Sequence, residues 1–186
     1  MAKTFKGRYA AQTDEPFVVF IIGMRINRFL SLRKWTFGAI SFVRMLLDLR
    51  KYQEKGYLGG QQIVYPRGIG MIQYWRSWED LERFARSQAE MHVPVWRRYN
   101  QMVGNDGTFG IWHESYLVEP AKYEAIYDNM PAFGLGTVLN HLPATGRRET
   151  ARRRLGGTNE PAVPSPPTPA PTEPAPTEPS PTQPVG

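Results

Sequence analysis

His92, His113 and His141 are the only histidines in a chain that carries no cysteine. Thiolate nucleophiles, thiolate metal sites and disulfides are therefore excluded. No His-x-x-x-His pair occurs. His113 and Glu114 are neighbours in an extended run, so their side chains point to opposite faces and cannot readily chelate one ion together. The expectation for metal is none. The chain also lacks G-x-G-x-x-G, P-loop and G-x-S-x-G elements, which removes the common nucleotide sites and a serine hydrolase. What remains is polarity embedded among aromatic residues. His92 and Trp96 are one helical turn apart and share a helix face. His113 lies on a strand with Trp112 and Tyr116. Gln73 and Trp75 point to one side of another strand, and Arg25 with Asn27 close a third. A pocket lined by Trp, Tyr and Met with a few hydrogen-bonding groups suits a flat, largely apolar ligand. Within it, His92 and His113 are candidates for a general base or a haem ligand. The bland alternative is that these are satisfied core polar groups and packing aromatics.

The elements that must position these residues follow from periodicity. The stretch from Gly104 to Tyr116 opens with the turn signal Asn105-Asp106-Gly107 and passes into an alternating run. Phe109, Ile111, His113, Ser115 and Leu117 share one side of that strand; Gly110, Trp112, Glu114, Tyr116 and Val118 share the other. Each side mixes apolar bulk with a polar group, so both faces are expected to be covered. Pro16 to Ile26 reads as a strand apolar on both faces. Arg33, Lys34 and Trp35 fall in a linker. Phe37 to Lys55 has the spacing of an amphipathic helix that Gly56 ends. Leu58 to Tyr65 and Ile69 to Arg76 are strands joined by a hairpin at Pro66-Arg67-Gly68. Ser77 with Asp80 three residues on is a capping box for a helix bearing Leu81, Phe84 and Ala85. That helix runs towards Glu90, and a second helical piece runs from about His92 to Met102. Tyr123 to Tyr127 reads as a helical turn, and an irregular segment opens at Asn129-Met130-Pro131.

Composition divides the chain into four parts. Residues 1–15 form a polar lead without the apolar core of a signal peptide. Residues 16–146 form the globular domain. Residues 147–158 form a basic boundary segment, in which Arg147, Arg148, Arg152, Arg153 and Arg154 with Glu149 contribute +4 to a net charge of +6. From residue 159 to residue 186 the chain is Pro, Thr, Glu, Ala and Ser, a composition that builds no core and reads as a disordered, solubilising tail. Residues 1–146 carry +5 spread along the chain, and the basic cluster reads as a solvated boundary segment, so nucleic acid is not an expected partner. The longest apolar run, Phe17 to Met24, is too short to span a bilayer. No membrane is expected, and the localisation expected is cytoplasmic.

The order β-α-β-β-α-β is that of a ferredoxin-like unit, an α+β fold with helices on one face of an antiparallel sheet. Two helices cover one side only, yet three strands are apolar on both. A second copy of the chain is the simplest cover, giving a homodimer with a barrel-like interior.

Four stretches carry a resemblance: residues 15–27 (Glu-Pro-Phe-Val-Val-Phe-Ile-Ile-Gly-Met-Arg-Ile-Asn), 73–86 (Gln-Tyr-Trp-Arg-Ser-Trp-Glu-Asp-Leu-Glu-Arg-Phe-Ala-Arg), 110–116 (Gly-Ile-Trp-His-Glu-Ser-Tyr) and 123–131. Together they resemble a monooxygenase-like family of the dimeric α/β-barrel superfamily, some of whose members are described as phenylacetaldoxime-dehydratase-like. The resemblance spans about residues 7 to 155 and implies a small-molecule oxidoreductase. The superfamily's cofactor-free monooxygenases deprotonate an electron-rich phenolic or enolic substrate, which then reacts with oxygen. On that pattern His113 or His92 is the base, Arg25, Asn27 and Gln73 hold the anion, and Trp75, Trp96 and Trp112 line the site. No cofactor is the first expectation. The alternatives are a haem enzyme of aldoxime-dehydratase type with His92 or His113 as axial ligand, and a non-catalytic carrier of a small hydrophobic molecule.

Overall fold

A computed structural model describes residues 2–32, 34, 36–40, 49, 54–86, 97, 101 and 106–157. Seven strands fall into two antiparallel sheets. The larger contains β2 (Phe17–Ile26), β3 (Tyr57–Tyr65), β4 (Gly68–Trp75) and β5 (Phe109–Val118), in the order β3-β4-β2-β5. Numbered within a βαββαβ unit and read from the opposite edge, that order is 4-1-3-2. This is the ferredoxin-like arrangement the sequence predicts. The four strands start and stop within a residue or so of their expected bounds because alternation and turn residues mark them locally.

β2 is paired along its whole length on both sides, Val18 opposite Trp75 and Leu117, Met24 opposite Ile69 and Ile111. Residues opposite one another share a face, so this register sorts every side chain of the sheet. Val18, Met24, Met71, Trp75 and Phe109 fall on one face and are buried together with Leu49, Tyr57 and Leu81. Leu49 and Leu81 are helical, so this is the helix-covered face. Residues 32, 34, 36–40 and 49 are helical, so Lys34 belongs to helical structure rather than to the expected linker, and residues 54 and 55 close the Phe37 to Lys55 stretch as a 3-10 turn; the remainder of that stretch, and most of the second helical piece from His92 to Met102, lie outside the described residues.

Helix α1 (Trp78–Arg86) starts where the sequence signals it, with the Asp80 amide donating to Ser77 Oγ at 3.1 Å. The reciprocal half of the box is replaced. The Asp80 carboxylate accepts from Arg76 Nε at 2.9 Å and from Arg83 Nη1 at 2.7 Å, and it is almost fully buried. Gly56 lies beside it with φ +99, and a Cβ there would sit 2.2 Å from Asp80 Oδ2. Gly56 thus answers two demands at once, a left-handed backbone and a close carboxylate.

The smaller sheet was not foreseen. β1 (Arg8–Gln12) pairs with β6 (Ile126–Asp128) on one side and β7 (Asn140–Pro143) on the other. Part of the expected polar lead is therefore a central strand. The expected helical turn at Tyr123 to Tyr127 gives way to extended backbone at Ile126 and Tyr127, and the irregular segment contains a strand and a 3-10 turn, Gly134–Thr137. Three-to-five-residue strands whose partners lie more than a hundred residues away leave no local signature.

The basic boundary segment is also ordered up to residue 157. A short helix, Ala151–Arg154, is capped by Thr150, and Arg154 is buried, donating through Nε to Glu124 Oε1 at 3.1 Å. A cluster expected to be solvated thus contributes a buried ion pair that ties the end of the described chain to the loop before β6. The expected tail at residues 159–186 lies outside the described residues.

Burial opposes ionisation of Asp80, yet the hydrogen bonds from Arg83 and Arg76 outweigh it and hold the carboxyl below its ordinary value. A depressed folded-state pKa contributes stability that is complete above the unfolded value and lost as pH falls through the folded one. The melting temperature should therefore fall as pH drops below about 4. Asp80→Asn should lower the melting temperature at neutral pH and flatten that acid limb. Gly56→Ala should destabilise the fold by at least about 2 kcal/mol in urea unfolding, from backbone strain alone.

Candidate active site

The register divides the expected site residues between two faces. Gln73, Trp75 and His113 lie on the helix-covered face, with Phe20 and Ile22 of β2 between them. Arg25 and Trp112 lie on the opposite face. Asn27 lies beyond the end of β2, where its amide nitrogen donates to Gly107 O at 3.1 Å and its backbone amide to Thr108 O at 3.0 Å. It fastens the loop before β5 rather than facing the helix-covered side. His92 and Trp96 lie outside the described residues.

Trp75 is fully buried, packed edge-on to Tyr57 at 5.3 Å and against Phe84 at 5.3 Å, so it belongs to the core rather than to a pocket wall. Its indole N–H donates to Gln73 Oε1 at 3.0 Å. That bond fixes the orientation of the carboxamide, because an indole nitrogen is a donor only and must meet the oxygen. Gln73, 1% exposed, is left with its NH2 as the end that can serve another group. The sheet therefore holds a buried amide donor at its centre, on the same face as an imidazole.

That imidazole is His113, exposed on edge strand β5 with its ring 5.6 Å from that of Phe20. Gln73 and His113 are separated by two strand spacings and two residues of rise, about 12 Å between Cα atoms. They do not touch. Beyond Phe109, β5 is open on either side: Ile111, His113, Glu114, Ser115, Tyr116 and Leu117 are all exposed in the single chain. The expectation that both of its faces are covered does not hold without a partner, since β5 forms the sheet's edge.

On the opposite face, Trp112 folds across the sheet and its Nε1 donates to Tyr65 Oη at 2.8 Å; that hydroxyl also lies 2.8 Å from Met24 O. The two rings cross Gly23, where a Cβ would come within 2.4 Å of Tyr65 Oη. Trp112 is thereby tied down as structure, while Arg25 beside it is exposed. Tyr65 carries this arrangement and was not singled out in the sequence; a tyrosine opposite Gly68 at a hairpin tip was its only signal. Part of this face is covered by the chain itself. Tyr74 is buried against the Gly134–Thr137 turn and its phenol is pushed up to about 12, by burial first and the nearby Tyr127 second.

His141 sits in the smaller sheet, stacked on Tyr9 at 4.8 Å and edge-on to Phe5 at 4.8 Å, both ring nitrogens buried without a hydrogen-bond partner among the described residues. It is a packing aromatic. Among the described residues no group of three or more His, Asp or Glu side chains could hold a metal ion, and no helix is long and apolar enough to cross a membrane.

A ferredoxin-like sheet with polar groups on its helix-covered face defines the class. The sequence model of the Monooxygenase af470-like family matches residues 17–135, from the first residue of β2 into the 3-10 turn. The chain belongs to that family, which places it among monooxygenase-like proteins. No curated protein matches it. Among solved structures, an aldoxime dehydratase in complex with butyraldoxime superposes with a TM-score of 0.57 at 14% identity, covering 72% of this chain and 40% of that one. A second aldoxime dehydratase gives 0.59 at 17% identity, covering 74% and 44%. The chain thus spans about four-tenths of the length of these two proteins, and the likeness is one of fold. SnoaB, a cofactor-independent oxygenase from Streptomyces nogalater solved as a mutant, gives 0.40 at 11% identity, covering 57% of this chain and 94% of that one.

Trp75→Phe removes the donor to Gln73 and should cost about 2 kcal/mol, much of it from the stranded amide oxygen. In a Gln73→Leu background the same change should cost clearly less. Chemical unfolding of the wild type, the two single variants and the double variant measures that coupling.

Proposed function

We propose that the chain is a small-molecule oxidoreductase of monooxygenase type, acting on a planar aromatic or enolic substrate without a resident cofactor. The observation that supports it best is the fixed Gln73 carboxamide. A buried N–H donor, oriented before the substrate arrives, is suited to an oxygen that gains negative charge during reaction. On this reading the substrate lies over Phe20 and Ile22 with its hydroxyl or carbonyl oxygen at Gln73 Nε2. His113, at the open side, takes the proton from the acidic position. The resulting electron-rich anion reacts with dioxygen, the second substrate, over the apolar floor of Phe20 and Ile22; one oxygen atom stays in the product, the other leaves as water, and the substrate itself supplies the electrons. Arg25, Asn27 and Trp112 have no contact with substrate in this arrangement.

A homodimer belongs to the same reading. It is supported by the open half of β5, where Tyr116 and Leu117 are 49% and 71% exposed, and by half-buried Val19 and Ile21 on the face away from the helices. A second copy covering these residues would also close the open side at His113.

Haem is the second reading, favoured by an imidazole above an apolar floor. Among the described residues His113 is the imidazole on the helix-covered face that would hold the iron, and Phe20 and Ile22 would meet the porphyrin, so these residues fit the group. When bound, haem would supply redox and Lewis-acid chemistry at its iron. Gln73 would then donate to a bound substrate as before.

Purified protein should consume oxygen with an electron-rich phenol, losing about a hundredfold in kcat on Gln73→Leu and at least about a hundredfold on His113→Ala. Absorption spectra with added haem separate the readings. A Soret band saturating at one haem per chain, and lost in His113→Ala, would overturn the cofactor-free reading. Ligand binding with neither oxygen uptake nor a Soret band would make the chain a carrier.

A further inference from the structure

One end of the larger sheet presents apolar side chains outward inside a ring of cations. The loop that leaves β2 and the first helical residue after it place Phe29, Leu30 and Leu32 at 56%, 98% and 60% exposure. Beside it, on the β3–β4 hairpin, Val64 is 83% exposed. This is a cluster at one edge of the molecule, unlike the single exposed apolar residues scattered over any protein surface.

The loop and hairpin are held together as one surface. Arg67, at the hairpin tip with φ +68, donates through Nε to Ile26 O at 3.0 Å and through Nη2 to Asn27 O at 2.5 Å. Its guanidinium also lies over the Phe29 ring, 4.8 Å from the centroid. Asn27 in turn bonds to Gly107 and Thr108. The exposed residues thus project from a braced turn.

Charge at this end is one-sided. Arg25, Arg28 and Arg67 are exposed, and Lys34 is paired with Asp106. Asp106 is the acidic residue that reaches this end among the described residues, and it is already neutralised by that pair. Apolar tips inside a belt of unneutralised arginines are complementary to a surface that is anionic at its headgroups and apolar beneath. We propose that the Arg25–Leu32 loop and the β3–β4 hairpin dock the protein on an anionic lipid surface, with Leu30 and Leu32 entering the acyl boundary. The docking is peripheral. It goes beyond the expectation of no membrane partner, which rested on the lack of an apolar run long enough to span a bilayer.

The test is sedimentation of the full chain with vesicles of phosphatidylcholine alone or with about one-third phosphatidylserine. Binding should appear with the anionic vesicles, weaken as sodium chloride is raised, and fall about tenfold in Leu30→Ser/Leu32→Ser. Arg28→Gln, a single exposed charge, should weaken it by a smaller factor. Circular dichroism should show both variants folded, since none of the three positions is buried. Equal binding to both vesicle types, or none to either, overturns the proposal. So does loss of binding in Arg147→Gln/Arg152→Gln with the loop variants unaffected, which would move the contact to the other basic cluster. A Leu30→Ser/Leu32→Ser variant that turns a dimer into a monomer in analytical ultracentrifugation also overturns it, by assigning the loop to a second copy of the chain.

Discussion

Pairing of β2 along both of its edges is the constraint on which the rest depends. A strand side chain has only two faces to choose between, so the registers of β2 against β4 and β5 assign Gln73, Trp75 and His113 to one side and Arg25 and Trp112 to the other. A slip of one residue in either pairing would exchange the faces of an entire strand. In the pairing with β4 it would remove Trp75 from beneath the helices and place the Gln73 amide on the other side of the sheet. The chemistry available to the molecule follows from that register as much as from residue identity.

Around this sheet, polar groups are fixed by specific partners. The Trp75 indole decides which end of Gln73 is free, two arginines hold the Asp80 carboxylate at the start of α1, and Tyr65 pins Trp112 over Gly23. Each arrangement removes rotamer freedom before any ligand arrives, and a site built on such groups reorganises little on binding. His113 is the exception, on an edge strand and open to solvent. The Gln73 carboxamide and the His113 imidazole therefore lie on one face, their Cα atoms about 12 Å apart.

Legibility in the sequence followed the range of the interactions. Strands β2 to β5 were readable because alternation, Pro66-Arg67-Gly68 and Ser77 act over a few residues. Face assignment along one strand was readable too, which is how Gln73 and Trp75 were placed together. Relating faces between strands requires the register, so Trp112 and His113 could be separated, but Trp112 could not be set apart from Gln73. Asn27 and Trp75 looked like ligand-binding residues because polarity among aromatics marks core hydrogen bonds and pockets alike. The smaller sheet was missed for the same physical reason: its strands are short, and what stabilises them lies at the far end of the chain.

That last feature bears on how the molecule is made. β1 stands first among the strands but is bonded only to β6 and β7, and the Gly7 amide donates to Asn129, 122 residues on. During synthesis the ferredoxin-like unit has all of its strands once β5 has emerged, whereas β1 has no strand partner until residues near 128 and 143 follow. Pairing of β1 with both therefore carries a high loop-closure cost. The smaller sheet thus ties residues near 8 to residues near 128 and 143, whereas the larger one is closed by strands between 17 and 118.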